Sequence, residues 1–469
     1  MNEPSLPLRE TLDSLPPEWS EDLSEQIQQL ARASGRKVVV LDDDPTGTQT
    51  VHGIPVLTDW PVESLAAELA SDDPAVYLLT NSRSLPLPEA QALNRETGLR
   101  ISMAQAQTGR EVVVISRSDS TLRGHFPGEV DALAEALGGG FDARLVIPFF
   151  PEGGRYTIDD VHYVAEGDWL VPAGQTAFAR DKSFGYRASN LREWVAEKSG
   201  GTLLAENVAS ISLETLRQGG PETTYRALME LPPGAECVVN AASYRDLEVL
   251  ALALLQAEAA GKRYLYRTAA SFVRMMAGIT PRPLLQAAEL DLPETGAGLV
   301  IAGSYVPKTS AQLDALMRGA KVQPVEVQVN RLLDAATNAG EIERVLAEVN
   351  ALLEQGQDTV VYTSRKLVST EGAEANLAIG RAVSDGLVAI VRGLKVRPRY
   401  LLAKGGITSS DVATLGLGIK RATVVGQILP GVPVWRSGPE SLFPGLAYIV
   451  FPGNVGGEDA LAKIVDGLH

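Results

Sequence analysis

Cysteine is almost absent from this 469-residue chain: it has one, Cys237, so no intramolecular disulfide and no cysteine metal cage can form. The single thiol sits inside the apolar run ECVVN and reads as a small buried residue rather than a nucleophile. Histidines are scarce too, and His52, His125, His162 and His469 show no metal-ligand spacing, so no protein metal site is expected. Positive charge is in deficit: 42 Lys and Arg face 58 Asp and Glu, a formal net charge of -16. That disfavours a nucleic-acid backbone or an anionic membrane as partner, since each attracts basic surfaces. No run of about 18 apolar residues is present, so no membrane span is expected. The opening MNEPSLPLRETLDSLPPEW has no apolar signal region, and a cytoplasmic location is the expectation.

Two nucleotide fingerprints are missing as well. No G-x-G-x-x-G follows a strand-like run, which argues against a nicotinamide dehydrogenase. In GSYVPKTSAQL, Pro307 stands where a P-loop needs its second glycine, so the usual amide nest could not form there. What survives is a turn at Gly303 and Ser304, followed by a helix that opens with Lys308 and Thr309.

What the chain does have is a rhythm. Apolar β-type runs begin at Lys37, Ala75, Glu111 and Arg144, with helix-compatible stretches such as VESLAAELA between them. Strand, helix, strand at that spacing predicts βαβ units in a parallel sheet. A strand near ECVVN, an amphipathic helix over DLEVLALALLQAEAAG and a strand near RYLYR complete this half, while the aperiodic stretch from about Tyr156 to Ala235 reads as an insertion or lid. The rhythm restarts with GLVIAG, TVVYTS, RYLLAKGG and LAYIVFPGN. The fold class is therefore α/β, with two domains that each carry a mainly parallel sheet flanked by helices. The boundaries predicted are an N-terminal extension over 1–35, a first domain over 36–278, a Pro-rich linker over 279–297 and a second domain over 298–469.

The chemistry gathers where strands end. The first strand runs into Asp42, Asp43 and Asp44, and clustered carboxylates need a cation, a hydrogen-bonding ligand or solvent. The next strands empty into Asn81-Ser82-Arg83-Ser84, then Ser116-Arg117-Ser118-Asp119 with Arg123, then Glu152 and Arg155. Ligands in open α/β sheets sit at the carboxyl ends of strands, so acids and arginines converge on one candidate site for a hydroxylated anion. His125, in the same loop as Arg123, is a further candidate for substrate contact. In the second half glycines follow the strands: Gly303, Gly405-Gly406 before ITSSDVATLGLG, and Gly453 with Gly456-Gly457. Glycine lets backbone amides approach a ligand, and a following helix points its positive end at it, so these loops predict a phosphate or nucleotide site.

VVVLDDDPTG also fits the haloacid dehalogenase phosphatase signature, with Asp42 as nucleophile, although the Lys and later acidic pair of that chemistry are not placed at strand ends. A non-enzymatic two-lobed binding protein for small acids is the other alternative.

In order along the chain, DDDPTGTQT, TNSRS, SDSTLRG, PEGGRYT, AGSYVPKTSAQL, KGGITSSDVA, PGVPVW and FPGNVGGED resemble the motifs of the four-carbon acid sugar kinase family. The resemblance covers nearly the whole chain after about Arg36. It implies a sugar-acid-binding first domain and an ATP-binding second domain, with magnesium on the phosphates, acting on a hydroxyl of a tetronate, a 3-oxo-tetronate or a branched relative such as 3-oxo-isoapionate. Carried over by position, Ser304, Gly405, Gly406, Ile407, Thr408 and Gly453 would contact ATP. Asp43, Asp44, Arg83, Asp119, Arg123 and Arg155 would line the sugar-acid site. Many relatives have Glu where Ile407 stands, and an acid or amide where Gln49 and Thr50 stand, which leaves the substrate open. On this reading Arg83, Arg123 and Arg155 hold the carboxylate, Asp44 and then Asp43 orient or deprotonate the attacking hydroxyl, and the domains close to exclude water. The expected partners are the sugar acid and ATP, with no nucleic acid or membrane and a homodimer left open.

Overall fold

The computed structural model describes residues 3–303, 307–319, 321–365, 373–453 and 455–469. The chain folds as two compact units, one of Met1–Ile54 with Trp60–Pro281, the other of Pro55–Asp59 with Arg282–His469. Residues 282–297, expected as linker, cluster with the second unit.

In the first unit the strands lie in the order Ala209–Ile211, Ala235–Val239, Ala143–Ile147, Tyr264–Thr268, Val112–Arg117, Lys37–Asp42 and Ala75–Leu79, each parallel to its neighbour. A parallel sheet covered on both faces needs strands that are apolar throughout rather than alternating. Lys37–Asp42 and Ala75–Leu79 are buried along their whole length. Because all seven strands run the same way, their carboxyl ends share one edge, and the polar clusters named above are carried there.

The helix expected over residues 246–261 is Tyr244–Ala259, started by a Ser243–Asp246 capping box. It is buried around most of its circumference, against Ser24–Ala33 on one side and Gly220–Met229 on the other, so its polar stripe is narrower than an amphipathic helix would show. Asp246 is held by Arg217 through two hydrogen bonds of 2.8 and 2.9 Å.

The stretch from Tyr156, expected as an aperiodic insertion or lid, opens with regular structure. Arg155–Ile158, Val161–Glu166 and Trp169–Pro172 form an antiparallel meander, and Leu6–Pro7 adds an edge strand to Trp169–Pro172. Ile158, Val161, Tyr163 and Leu170 bury a small core there, with Leu6, Leu8, Leu12 and Leu15 packed on it. The amino-terminal segment is thereby part of the first unit.

Among the described residues the second unit contains five parallel strands in the order Gln323–Val327, Thr359–Thr363, Leu299–Ala302, Tyr400–Lys404 and Ala447–Phe451. An antiparallel hairpin, Arg421–Leu429 with Val432–Ser437, extends the sheet beyond Ala447–Phe451. Pro55–Leu57, supplied from far earlier in the chain, then pairs antiparallel with Arg421–Leu429. The helix expected over ITSSDVATLGLG splits in two: α-helix Gly406–Asp411 gives way to a π-turn at Val412–Gly416. Among the described residues no helix is long and apolar enough to cross a membrane.

Candidate active site

The first loop is built around its acids. Asp42 is the last residue of Lys37–Asp42, and its main-chain carbonyl accepts from Thr80 N at 2.9 Å. Asp43 N donates to Arg117 O at 3.2 Å, which fixes the turn against the neighbouring strand. Asp44 caps the 3-10 turn Pro45–Thr50 by accepting from Thr46 N at 2.9 Å. Gly47 then has to be glycine: a Cβ there would stand 2.2 Å from either carboxylate oxygen of Asp42.

Arg117 and Arg83 tie the acids together. Arg117, buried at the end of Val112–Arg117, donates to Asp42 Oδ1 at 3.0 Å and lies 3.5 Å from Asp43 Oδ1. Arg83 makes a short ion pair with Asp44 and stands 3.8 Å from Asp43 and 3.6 Å from Asp119. Asp119 accepts from Arg123 Nε at 2.7 Å and from the Thr121 hydroxyl. Asp42, Asp43, Asp44, Arg83, Asp119 and Arg123 are thus one network, as the strand ends predict.

The three consecutive acids differ sharply in environment. Burial pushes Asp42 up to about 7 against the pull of Arg117, and Asp43 up to about 6 against Arg83 and Arg117. Burial acts on Asp44 too, but Arg83, Arg117 and the Thr46 hydrogen bonds outweigh it and lower its pKa. Burial likewise opposes ionisation of Asp119, yet Arg123, Arg83 and Thr121 hold it well below the usual carboxylate range. The Asp43 oxygens are buried and accept no hydrogen bond among the described residues. Asp42, the nucleophile of the phosphatase reading, is hydrogen-bonded to Arg117 and pressed against Gly47, so its carboxylate is engaged in holding the loop, whereas the equally buried Asp43 accepts no hydrogen bond among the described residues.

Arg155 lies at the start of the meander strand Arg155–Ile158, and its guanidinium makes no ion pair or hydrogen bond among the described residues. Burial lowers its pKa, and its guanidinium carbon lies 5.4 Å from the centroid of Phe178. Arg123 stacks on the same ring at 5.2 Å. Arg267, 2% exposed, donates to the carbonyls of Asp119 and Arg123 at 3.3 Å and holds that loop from below. His162 is pushed down to about 3 by burial, so it stays neutral and can donate from Nε2 to Ser120 O at 2.8 Å. His125 is tied up through a 2.9 Å bond between Nε2 and Leu85 O, with its ring edge against Phe184. Sequence reasoning placed Arg117 in the cluster but gave it no task, and it missed Arg267 and Phe178. Arg117 and Arg267 each carried a signal, as the charged end of an apolar run, whereas Phe178 lies in an aperiodic stretch and carried none.

In the second unit, Gly303, Gly405–Thr408 and Gly453 follow three neighbouring parallel strands. Ser304 lies outside the described residues. Gly405 has φ +112°, open to glycine without strain, and donates its N–H to Phe451 O at 2.8 Å. A Cβ on Gly303 would come within 2.7 Å of Thr408 Oγ1, so these two turns touch. Gly453 has open space where a Cβ would be, and Ile407 is 62% exposed. Gln312 secures the last loop, donating to Val455 O at 3.1 Å and Gly457 O at 2.8 Å. The edge is therefore glycine-lined, with room for backbone amides to meet a ligand, which is what a phosphate chain needs.

Comparison with known proteins agrees with this division. Residues 38–276 match a model described as a sugar-binding N-terminal domain, and residues 299–461 one described as a nucleotide-binding C-terminal domain. The chain belongs to the four-carbon acid sugar kinase family. Relatives in the family include a D-erythronate kinase of Heliobacterium modesticaldum, 28% identical over 76% of this chain and 79% of its own length. A 3-oxo-tetronate kinase of Burkholderia multivorans is 28% identical over 83% of this chain and 85% of its own. The fold matches a crystal structure of a Haemophilus influenzae protein at TM-score 0.62 and 21% identity, covering 92% of this chain and 99% of that one.

Proposed function

We propose that this protein is a cytoplasmic kinase that transfers the γ-phosphoryl group of ATP, carried as its magnesium complex, to a hydroxyl of a small sugar acid. A tetronate, a 3-oxo-tetronate or a branched 3-oxo acid is the substrate class, in line with the named activities of the relatives. The observation that carries the reading is the imbalance of the first unit's edge. Arg83, Arg117 and Arg123 are already paired with acids, whereas Arg155 is desolvated and unpaired among the described residues. A largely desolvated guanidinium that makes no ion pair among the described residues, with Asp119 acting on it only from a distance, is unfavourable until an anion arrives, and its fork matches a carboxylate. Arg155 then takes the substrate carboxylate, while Asp119, Asp44 and Arg83 hold its hydroxyls.

Of the first-loop acids, Asp43 is the better general base. A base works best with a pKa near the working pH and free lone pairs, and Asp43 has these, whereas Asp44 is paired with Arg83 and lowered. We therefore put Asp43 before Asp44 as the proposed base, the opposite order to the one expected from sequence. Gly405, Gly406, Ile407, Thr408 and Gly453 offer backbone to the triphosphate, and magnesium would neutralise charge on its oxygens. Transfer of this kind rests on positioning and charge neutralisation more than on covalent chemistry.

The test is phosphorus NMR of the full chain with MgATP and a panel of D-erythronate, D-threonate, 3-oxo-tetronates and 3-oxo-isoapionate. One acid is expected to become a phosphate ester with one ADP formed per ester. Release of inorganic phosphate from phosphorylated acids, without any transfer, would instead restore the phosphatase.

A further inference from the structure

Lysine is the residue least suited to a dry interior, because its ammonium is strongly hydrated and has no second charge centre to share. Lys404 is nonetheless 0% exposed. It is the last residue of Tyr400–Lys404, and Gly405 follows it directly. Its Nζ donates to Pro452 O at 2.6 Å and Gly453 O at 3.3 Å and lies 3.9 Å from the centroid of the Phe451 ring. One side chain thus joins the Gly405 turn to the Gly453 loop from underneath. No carboxylate pairs with it among the described residues, and the charged group that acts on it, Lys308 of helix Pro307–Gly319, is a second cation. Two carbonyls and a ring face satisfy its donors, yet leave its charge without an opposite.

Resting on the nucleotide reading of this edge, we propose that Lys404 is a positioning residue of the phosphate site, which holds the Pro452–Gly453 carbonyls inward and whose counter-charge is the phosphate chain of the nucleotide. Turning those carbonyls toward Nζ leaves the Gly453 N–H for the ligand, Pro452 having none, and the buried cation adds field beneath it. A chain needing only a loop anchor could use a neutral donor, with no charge to desolvate.

Consequences for proton binding follow. Burial, reinforced by Lys308, pushes free Lys404 down to about 7. An anion bound above it favours the ammonium, so binding at alkaline pH draws a proton from solvent. Affinity should then fall as pH rises through the free-state pKa, by about tenfold between pH 7 and pH 9.

Isothermal titration of the full chain with MgADP, fully ionised above pH 8, tests this in two buffers of different ionisation enthalpy. Wild type is expected to take up part of a proton at pH 8.5 and to weaken toward pH 9. Lys404→Met is expected to bind at least tenfold more weakly at pH 7, with no uptake and a flat pH response. Its thermal response to sugar acid should be unchanged. A purely structural anchor would not move the proton count. Wild-type MgADP binding without proton uptake overturns the assignment and needs no variant. So does a folded Lys404→Met that keeps the wild-type affinity and pH response. Absence of any nucleotide binding by wild type would remove the nucleotide reading itself, and the assignment with it.

Discussion

At the scale of single residues, three neighbouring aspartates differ because the groups around each differ. Asp42 serves Arg117, Asp44 serves the turn and Arg83, and Asp43 is left with unfilled oxygens. Asp43→Asn should lower kcat by roughly a hundredfold to ten-thousandfold, the usual span for losing a general base. Asp44→Asn should act mainly on the KM for sugar acid, because Asp44 would bind hydroxyls rather than take the proton. A base must be ionised to accept a proton, and burial places Asp43 near 6. Below that pH kcat/KM should fall by about tenfold per unit, since log rate follows the ionised fraction. A pH–rate profile checks this, and the acidic limb should be missing from the residual activity of Asp43→Asn. Arg155→Ala makes a different prediction: a rise in sugar-acid KM of about a hundredfold with nucleotide KM unchanged, as expected for loss of a buried charged partner. Its thermal stability should not fall, because the variant loses a desolvated charge that the free protein does not pair.

Elements show how close approach and pairing depend on a few positions. Gly47 lies against the Asp42 carboxylate, where a methyl group would overlap it at 2.2 Å. Gly47→Ala must therefore displace the first loop, costing about 1 to 3 kcal/mol of stability by overpacking and lowering activity more than Gly53→Ala would lower it. Chemical denaturation and steady-state kinetics of the two variants test the comparison. Gly53 has φ +69° and nothing within 4 Å of the place a methyl group would take, so strain alone acts there. The strand Pro55–Leu57 is a second such position. It pairs with Arg421–Leu429, and Thr58 N donates to Lys420 O at 3.0 Å, although these residues belong to the amino-terminal half of the chain. A fragment beginning at Arg282 would lose that partner and expose the edge of Arg421–Leu429, an invitation to aggregation. Size-exclusion chromatography should show the fragment associating, and a chain with Pro55–Asp59 restored through a linker should be better behaved.

At the scale of the molecule, two units with separate cores should answer to different ligands. Hydrogen exchange on the full chain should show sugar acid slowing amides at 42–50, 81–84 and 117–124, and MgADP slowing those at 400–411 and 447–453. A ligand at a hundredfold its Kd adds about 2.7 kcal/mol to the unit that binds it, which is ample for such protection. Much of this layout was legible in the sequence. Apolar runs ending in Asp42–Asp44, Arg83, Asp119 and Arg123 announce parallel strands with a site at their ends, because burial on both faces requires uninterrupted hydrophobic stretches and a polar exit. The glycines after Ala302, Lys404 and Pro452 announce close backbone approach for the same local reason. Pro55–Leu57 and Leu6–Pro7 could not be read this way: at three and two residues they carry no period, and only a distant partner makes them strands. The different environments of Asp43 and Asp44, the unpaired state of Arg155 and the burial of Lys404 likewise belong to the tertiary structure. Charge and residue type are written locally, but desolvation and the distance to a counter-ion depend on what the fold packs around each group.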